Sequence, residues 1–425
     1  MDPEIRRAFN SSWTPLRYQS QLRYLEEAAG FPIAFRVCET PIFLPAELNA
    51  LLVEASQDIL AQVTSEQYLR RSESAVPAAH RVPGQDAHPV FLQIDFALAR
   101  AADGGIVPQL IELQGFPSLY GFQWLLDRAY RASYDIAPSS TPYYSGLDAA
   151  GYVDCLRRVI VGDADPANVV LLEIDPDRQK TRVDFAATEQ ITGVRAVDVS
   201  AVEERGGRLF YRADAAGGGG PHGSTRSLGG RLTPIHRIYN RVIFDEAERR
   251  GVELDRLFRR ELDVIWVGHP NWFWKISKFS LPFLSGRFAP QAFFLSALDE
   301  LPEDLGNYVL KPLYSFAGHG VEVEVTAERL RRLRETARPE DYILQRKVEY
   351  AAAIATPDGP AKAEVRMMFV WLDRPMLINN LVRTTKGAMI GVDFNRDKTW
   401  IGASVAYHPP DPPSPPAPRE TPENS

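Results

Sequence analysis

YVLKPLYSFAGHGV, residues 308 to 321, reads as an apolar strand that ends in a lysine and runs into a small-residue turn. Tyr308, Val309 and Leu310 are strand formers, and Pro312 stops the ladder immediately after Lys311. The loop Ser315-Phe316-Ala317-Gly318-His319-Gly320 carries two glycines, whose backbone N–H groups can approach an anion with no Cβ in the way. A second strand is expected from Val321 to Val325. A fixed charge beside a flexible backbone cover suits a triphosphate. The stretch is neither a Walker loop nor a Rossmann fingerprint, because no helix start with either glycine spacing follows. Most strand–glycine–strand segments are only hairpins, so the neighbouring residues decide.

Lys278 precedes the hairpin in Trp274-Lys275-Ile276-Ser277-Lys278-Phe279, and a strand, YILQRKV, follows it at Tyr342 to Val348. An isolated lysine is most simply a solvated charge. Two lysines in this order with a glycine hairpin and a further strand make the layout of a nucleotide held between two antiparallel sheets. Lys278 and Lys311 then bind phosphates, and Ser315, Gly318 and Gly320 close over them. The backbone near Gln345, Lys347 and Val348 reads the edge of the base.

A second constellation is acidic. Val90 to Leu98, VFLQIDFAL, and Gln109 to Leu113 form an expected hairpin around Gly104-Gly105. Asp95 stands mid-strand, and Glu112 and Gln114, two residues apart on the returning strand, point to one side. Two carboxylates and an amide oxygen suit Mg²⁺, which prefers hard oxygen ligands and shares its shell with phosphates. The bland alternative is a pair of acids on a solvated face. The apolar neighbours Phe91, Ile94, Phe96, Leu110, Ile111 and Leu113 favour a site.

The remaining chain reads as α+β. Helices are expected at Trp13 to Ala29, Pro45 to Arg71 and Leu119 to Tyr130. From Gly151 helices alternate with strands at Val169 to Ile174 and Ala196 to Val199, closed by Leu209 to Tyr211, which suggests a small parallel α/β unit. Gly217 to Gly220 is a loop. A strand leads into a helix over Ile235 to Ala247, and helices are expected at Val252 to Leu262, Gln291 to Leu298 and Thr326 to Thr336. Val365 to Trp371 and Met376 to Val382 form an antiparallel pair, and from Pro409 eight prolines among polar residues make an extended tail. The parts are 1–150 with the acidic hairpin, 151–235 as the α/β unit, 236–407 as the nucleotide part and 408–425 as the tail.

With 425 residues, 45% hydrophobic and 24% charged, the chain can bury a large core. A net charge of −7 with no basic block argues against nucleic-acid binding, and no apolar run reaches the length of a membrane span. Two cysteines without metal spacing, Cys38 and Cys155, and no signal peptide fit reduced thiols and a cytoplasmic location. Oligomeric state is not legible in these residues.

The quoted motifs resemble those of ATP-grasp enzymes, and among them glutathionylspermidine synthase and its relatives. Gln93-Ile94-Asp95 is similar to the family's R-F-D, and Glu112-Leu113-Gln114-Gly115-Phe116-Pro117-Ser118-Leu119 to its E-x-N-A-D-T-P-T. Trp274 to Pro282 is similar to W-K-x-x-L-S-N-K-x-x-L-P in shortened form, and Val309 to Gly318 to V-x-K-P-L-x-x-R-E-G. The resemblance spans roughly residues 90 to 395, without the family's optional amidase domain. It implies an ATP-grasp fold with a circularly permuted order and a small α/β unit of the pre-ATP-grasp kind. The implied activity is ATP- and Mg²⁺-dependent ligation of a small-molecule or peptide carboxylate to an amine. Asp95, Glu112 and Gln114 take the metal positions, and Lys278 and Lys311 the ATP positions. Gln93 stands where the family has an arginine, so Arg366 or Arg383 is the expected substitute cation. Failing that, the chain binds nucleotide without ligase turnover. A competing metal placement is Asp393 with Asn395.

Overall fold

The computed structural model describes residues 2–213, 230–315, 318–336, 338–387, 395 and 397–410. Gly217 to Gly220, Phe316, Ala317, Asp393 and the tail from 411 lie outside the described residues. The site is built on strands β1 (Phe91–Arg100), β2 (Ile106–Gln114), β3 (Tyr308–Pro312), β4 (Tyr342–Arg346), β5 (Lys362–Trp371) and β6 (Pro375–Thr385).

One antiparallel sheet runs Gly402–Ser404, β6, β5, β1, β2. The early acidic hairpin and the late β5–β6 pair therefore share a sheet, although the sequence assigns them to different parts. The reason is burial. β1 is covered on both faces and exposes only Arg100 at its end, so it needs ladder partners on both edges. Leu92, Ile94, Phe96 and Leu98 pack in the main core, which leaves Gln93 and Asp95 together on the opposite face. A second antiparallel sheet, Ala292–Phe294, β4, β3, lies against this hairpin.

The α/β unit is a parallel sheet in the order Ile265–Val267, Arg237–Asn240, Val169–Glu173, Arg195–Asp198. Helices Ala149–Ile160 and Arg182–Thr192 belong to it. A short parallel pair, Ile42–Phe43 with Ala406–Tyr407, ties the two ends of the chain together.

Several expectations change. The expected first helix is present as Pro15–Ala29, opened by Pro15 and capped by Thr14 through Arg17 N, and an unexpected helix, Pro3–Ser12, precedes it. The long helix divides into Ala46–Val63 and Glu66–Ser72, with Ser65 capping the latter. Gln291 to Leu298 is not one α-helix but a strand, Ala292–Phe294, followed by a single 3-10 turn, Leu295–Ala297. Ala292-Phe293-Phe294 pairs with Ile343 to Gln345 of β4, so the apolar side chains follow the sheet. Val321 to Val325 is reduced to a single bridge between Glu322 and Leu310, and the helix at Val252 to Leu262 shortens to Asp255–Phe258. Arg208–Ala213 joins Glu203–Arg205 and Arg231–Ile235 in a separate antiparallel sheet. Among the described residues, no helix is long and apolar enough to cross a membrane.

The packed chain extends past Tyr407. His408 is buried, exchanges two backbone hydrogen bonds with Thr141 and stacks on Tyr144 at 4.3 Å. Ending the chain after Pro410 is expected to move the melting temperature by no more than about 1 °C, since a proline-rich polar segment buries little apolar surface. Ending it after Tyr407 removes the stack and both bonds and should lower it by several degrees, as scanning calorimetry would show.

Candidate functional site

The site starts from an irregularity in the acidic hairpin. Asp95 pairs with Glu112, but the next residue, Phe96, pairs with Leu110, so Ile111 is the extra residue of a β-bulge. The bulge turns Leu110 into the core while Glu112 and Gln114 stay on the face of Asp95 and Gln93. It also releases backbone carbonyls from the ladder. Lys311 Nζ donates to Ile111 O at 2.9 Å and to Gln345 Oε1 at 2.6 Å, while Gln345 Nε2 donates to Leu110 O at 3.1 Å. These contacts tie the smaller sheet to the hairpin.

Lys278 reaches the same place from the turn Lys278–Phe283. Its ammonium donates to Ser315 O at 2.5 Å and lies 3.9 Å from Glu112 Oε2. Burial holds Lys278 below the ordinary lysine range, against the opposing pull of Glu112 and Asp245. Burial brings Lys311 down to about 8, against the pull of Glu112 and with added repulsion from Lys278. Lys278 thus stands close enough to Lys311 to disfavour its charge.

Beside them is a second group of charges. Arg366 on β5 pairs with Asp95 on β1, and its guanidinium grips the carboxylate in a fork, Nε to Oδ1 at 2.6 Å and Nη2 to Oδ2 at 2.7 Å. Its Nη1 donates to Gln93 Oε1 at 3.0 Å. The Gln114 amide sits against Gln93 at 2.5 Å and, with its oxygen turned to the guanidinium, accepts from Arg366 Nη1 at 2.6 Å. Arg383 on β6 donates to Asp95 Oδ2 and lies 2.9 Å from Glu364 Oε2. Glu364 Oε1 accepts from Tyr350 OH. Burial would push Asp95 up, but Arg366 and then Arg383 hold it below the usual carboxylate range. Glu364 remains raised because burial outweighs Arg383.

The expected residues are therefore largely brought together: Asp95, Glu112, Gln114, Lys278, Lys311, Ser315, Gln345, Arg366 and Arg383 form one cluster. Lys347 stands apart, exposed, with Nζ on Gly306 O at 2.5 Å and its backbone N–H on Asn307 O. Val348 lies beyond the end of β4, and Gly318 and Gly320, with φ of 74° and 72°, form the exposed turn after Ser315. Asn395 uses its side-chain oxygen on Thr385 Oγ1 and the N–H groups of Lys386 and Gly387. Glu364, Tyr350 and Asp245 were missed. For Glu364 the signal was present, because Lys362-Ala363-Glu364-Val365-Arg366 sets three charges on one face of an apolar strand.

Asp95, Glu112 and Gln114 meet, yet they do not fit a divalent cation. Both oxygens of Asp95 are taken by guanidinium groups, and the Gln114 amide is engaged by Gln93 and Arg366. Glu112 has Arg366, Arg383 and Lys278 within 4.0 Å. Among the described residues, no group of three or more His, Cys, Asp or Glu side chains could hold a metal ion. An oxygen shell would require the buried Arg366 and the half-buried Arg383 to leave.

A further wall comes from the parallel sheet. The chain leaves Val169–Glu173 toward Arg195–Asp198 on one side and Arg237–Asn240 toward Ile265–Val267 on the other. Between the two central strands lies the switch point, where crevices form outside the carboxyl ends. Glu173, Asn240 and Arg241 are buried there. Asn240 Nδ2 and Arg241 Nε have no partner, while Arg241 Nη1 pairs with Asp184. Burial pushes Glu173 up to about 8, against the pull of Arg241. The Arg241 guanidinium lies 5.8 Å from the Phe116 ring centroid. Phe116, Glu112, Gln114, Lys278 and Ser315 line one cavity of about 30 Å³, so the switch point adjoins the lysine cluster.

No family model matches the chain. Rho GTPase-activating protein 68F of Drosophila melanogaster is 43% identical over 60 residues, which is 14% of this chain and 13% of that protein's length. So short a stretch carries no family. A solved structure of a glutathione synthetase like-effector from Globodera pallida, in apoform, is similar with a TM-score of 0.51 at 10% identity, covering 97% of this chain and 98% of that one. The likeness is one of fold: this chain has an α+β architecture similar to that of a glutathione synthetase-like protein.

Proposed function

We propose that the chain is an ATP-dependent ligase of the ATP-grasp type, permuted in order, which joins a carboxylate to an amine through an acyl phosphate. The observation that carries this reading is the pair of buried lysines, Lys278 and Lys311, set beside each other at the seam of two sheets. Burying two neighbouring ammonium groups is costly, and a polyanion offsets the cost. In this reading the phosphates of ATP rest on both lysines, under the segment carrying Ser315, Gly318 and Gly320. The base lies toward the end of β4. A cavity of about 30 Å³ has room for water and not for a nucleotide, so the sheets part on binding. Lys311 and Gln345 then exchange the carbonyls of Ile111 and Leu110 for ligand.

Arg383, whose buried Nε has no partner, steadies the transferring phosphoryl group, and Arg366 positions Asp95. Glu173 and the free donors of Arg241 and Asn240 suit a small zwitterion, such as an amino acid or peptide terminus. A substrate carboxylate oxygen attacks the γ-phosphorus and ADP leaves. The amine nitrogen then attacks the acyl carbon, phosphate leaves, and the amide forms with loss of a proton. Mg²⁺, also implied by the resemblance, is given no step, because the carboxylates it would need are already bonded to arginines.

The runner-up is a nucleotide-binding protein without ligase turnover. It is favoured by the neutral Gln93 and by the fork that fixes Arg366 on Asp95. Phosphate release from ATP across a library of carboxylates and amines separates the two, with hydroxylamine trapping the acyl phosphate. A trapped hydroxamate supports the ligase; nucleotide binding with no phosphate release across the library contradicts it.

Lys311 also predicts a pH effect. Its folded value of about 8 lies below that of a free lysine. Between the two values the unfolded chain binds more protons, so this group makes folding stability rise with pH across that window. A bound anion restores its charge. ATP binding near pH 8.5 is therefore expected to take up about one proton or less, visible as buffer-dependent heat in calorimetry and absent in Lys311→Met.

A further inference from the structure

We propose that Arg366 and Arg383 occupy the role of a divalent cation in this cleft, so that it binds polyphosphate without metal. The inference rests on reading the cleft as the nucleotide site. It follows from a count of hydrogen-bonding capacity, made on the described residues. Apart from Glu112, the side-chain oxygens of the cluster that could ligate a hard cation already accept from donors of the protein. Asp95 accepts from Arg366 and Arg383, and Glu364 from Tyr350 with Arg383 2.9 Å from its other oxygen. Gln93 accepts from Arg366, and its own amide donates to Ser118 O at 2.7 Å. The carbonyls freed by the bulge, Leu110 and Ile111, accept from Gln345 and Lys311. Glu112 is flanked by three cations within 4.0 Å.

What remains unused is a donor. Arg383 Nε is buried without a partner. A site whose buried carboxylates are already held by arginines and which keeps a buried spare donor favours an anion. Mg²⁺ would have to remove Asp95 from a two-bond guanidinium fork, the arrangement in which a carboxylate is held most firmly. A polyphosphate leaves that fork in place and moves aside only Glu112, whose contacts with the cations are no shorter than 3.9 Å. It gains Arg383 Nε and the two lysines at once.

The test is calorimetric titration of the full chain with ATP, and separately with inorganic triphosphate, in EDTA and in excess Mg²⁺. Electron paramagnetic resonance of Mn²⁺ mixed with the protein alone is the second arm. The expected affinities in the two buffers agree within about threefold, and Mn²⁺ remains in its free aqueous form. Arg383→Gln should weaken binding in EDTA by about tenfold or more, while the exposed Lys180→Ala leaves it unchanged. Binding that needs Mg²⁺, or one tightly bound Mn²⁺ per chain, overturns the metal-free site and leaves the nucleotide reading standing. No binding of either polyphosphate in either buffer overturns the nucleotide reading, and the inference falls with it. Should Arg383→Gln fail to fold, the wild-type comparison alone decides.

Discussion

Lys311→Met is expected to weaken ATP binding by about 1.5–3 kcal/mol, roughly ten- to a hundred-and-fifty-fold in Kd. Methionine keeps most of the apolar stem packed and removes only the charged head, so the loss reports a phosphate contact and not a cavity. Lys278→Met should act in the same direction. Their effects should not add simply, because Lys278 disfavours the charge of Lys311 and removing it relieves that neighbour. The exposed Lys180, replaced by alanine, serves as the control. Calorimetry on the three variants checks the result. Wild-type affinity in both Lys278→Met and Lys311→Met would remove the lysines from the site.

Asp95→Asn should destabilise the fold by about 3–5 kcal/mol, since an amide of nearly the same shape leaves the buried Arg366 and the half-buried Arg383 without that carboxylate. Arg366 is the more dependent of the two, because Asp95 takes both arms of its fork, whereas Arg383 keeps Glu364. Restoring the balance by adding Arg366→Met should recover part of the loss, which makes the double variant more informative than either single one. Urea unfolding near neutral pH is the measurement. The pH dependence follows the same pair. With its folded value held below that of a free aspartate, Asp95 stabilises fully above the ordinary aspartate range. That contribution disappears as pH falls through the depressed folded value. An Asp95→Asn protein as stable as wild type would mean the arginines do not depend on that carboxylate.

The lysines and the acidic hairpin were legible because a charge inside an apolar strand is expensive unless something uses it. Asp95, Glu112, Lys278 and Lys311 all stand out on that ground, and the structure brings the four together. The same signal marked Glu364 beside Arg366, where it was overlooked. What the sequence did not show is how the acids are neutralised. Whether Asp95 faces a metal or a guanidinium depends on β5 pairing with β1 across 271 residues of chain, and no local pattern encodes that pairing. The bulge at Ile111 was equally hidden. Leu110-Ile111-Glu112 carries no glycine, so nothing in it announces two carbonyls turned toward Lys311 and Gln345. Gln291 to Leu298 was misread because Ala, Leu and Gln suggested a helix while Phe293 and Phe294 were taken by the sheet. The switch-point residues Glu173 and Arg241 become visible only once the strand order is known, since they are 68 positions apart and belong to adjacent strand ends.

The claim on which the rest depends is that a polyphosphate lies at the seam between the two sheets, on Lys278 and Lys311. A crystal structure with a non-hydrolysable ATP analogue tests it most directly. The predicted result places phosphate oxygens about 3 Å from both ammonium nitrogens, with the bonds from Lys311 to Ile111 and from Gln345 to Leu110 broken. An analogue bound elsewhere, with those bonds intact and Lys278 still on Ser315, would contradict it.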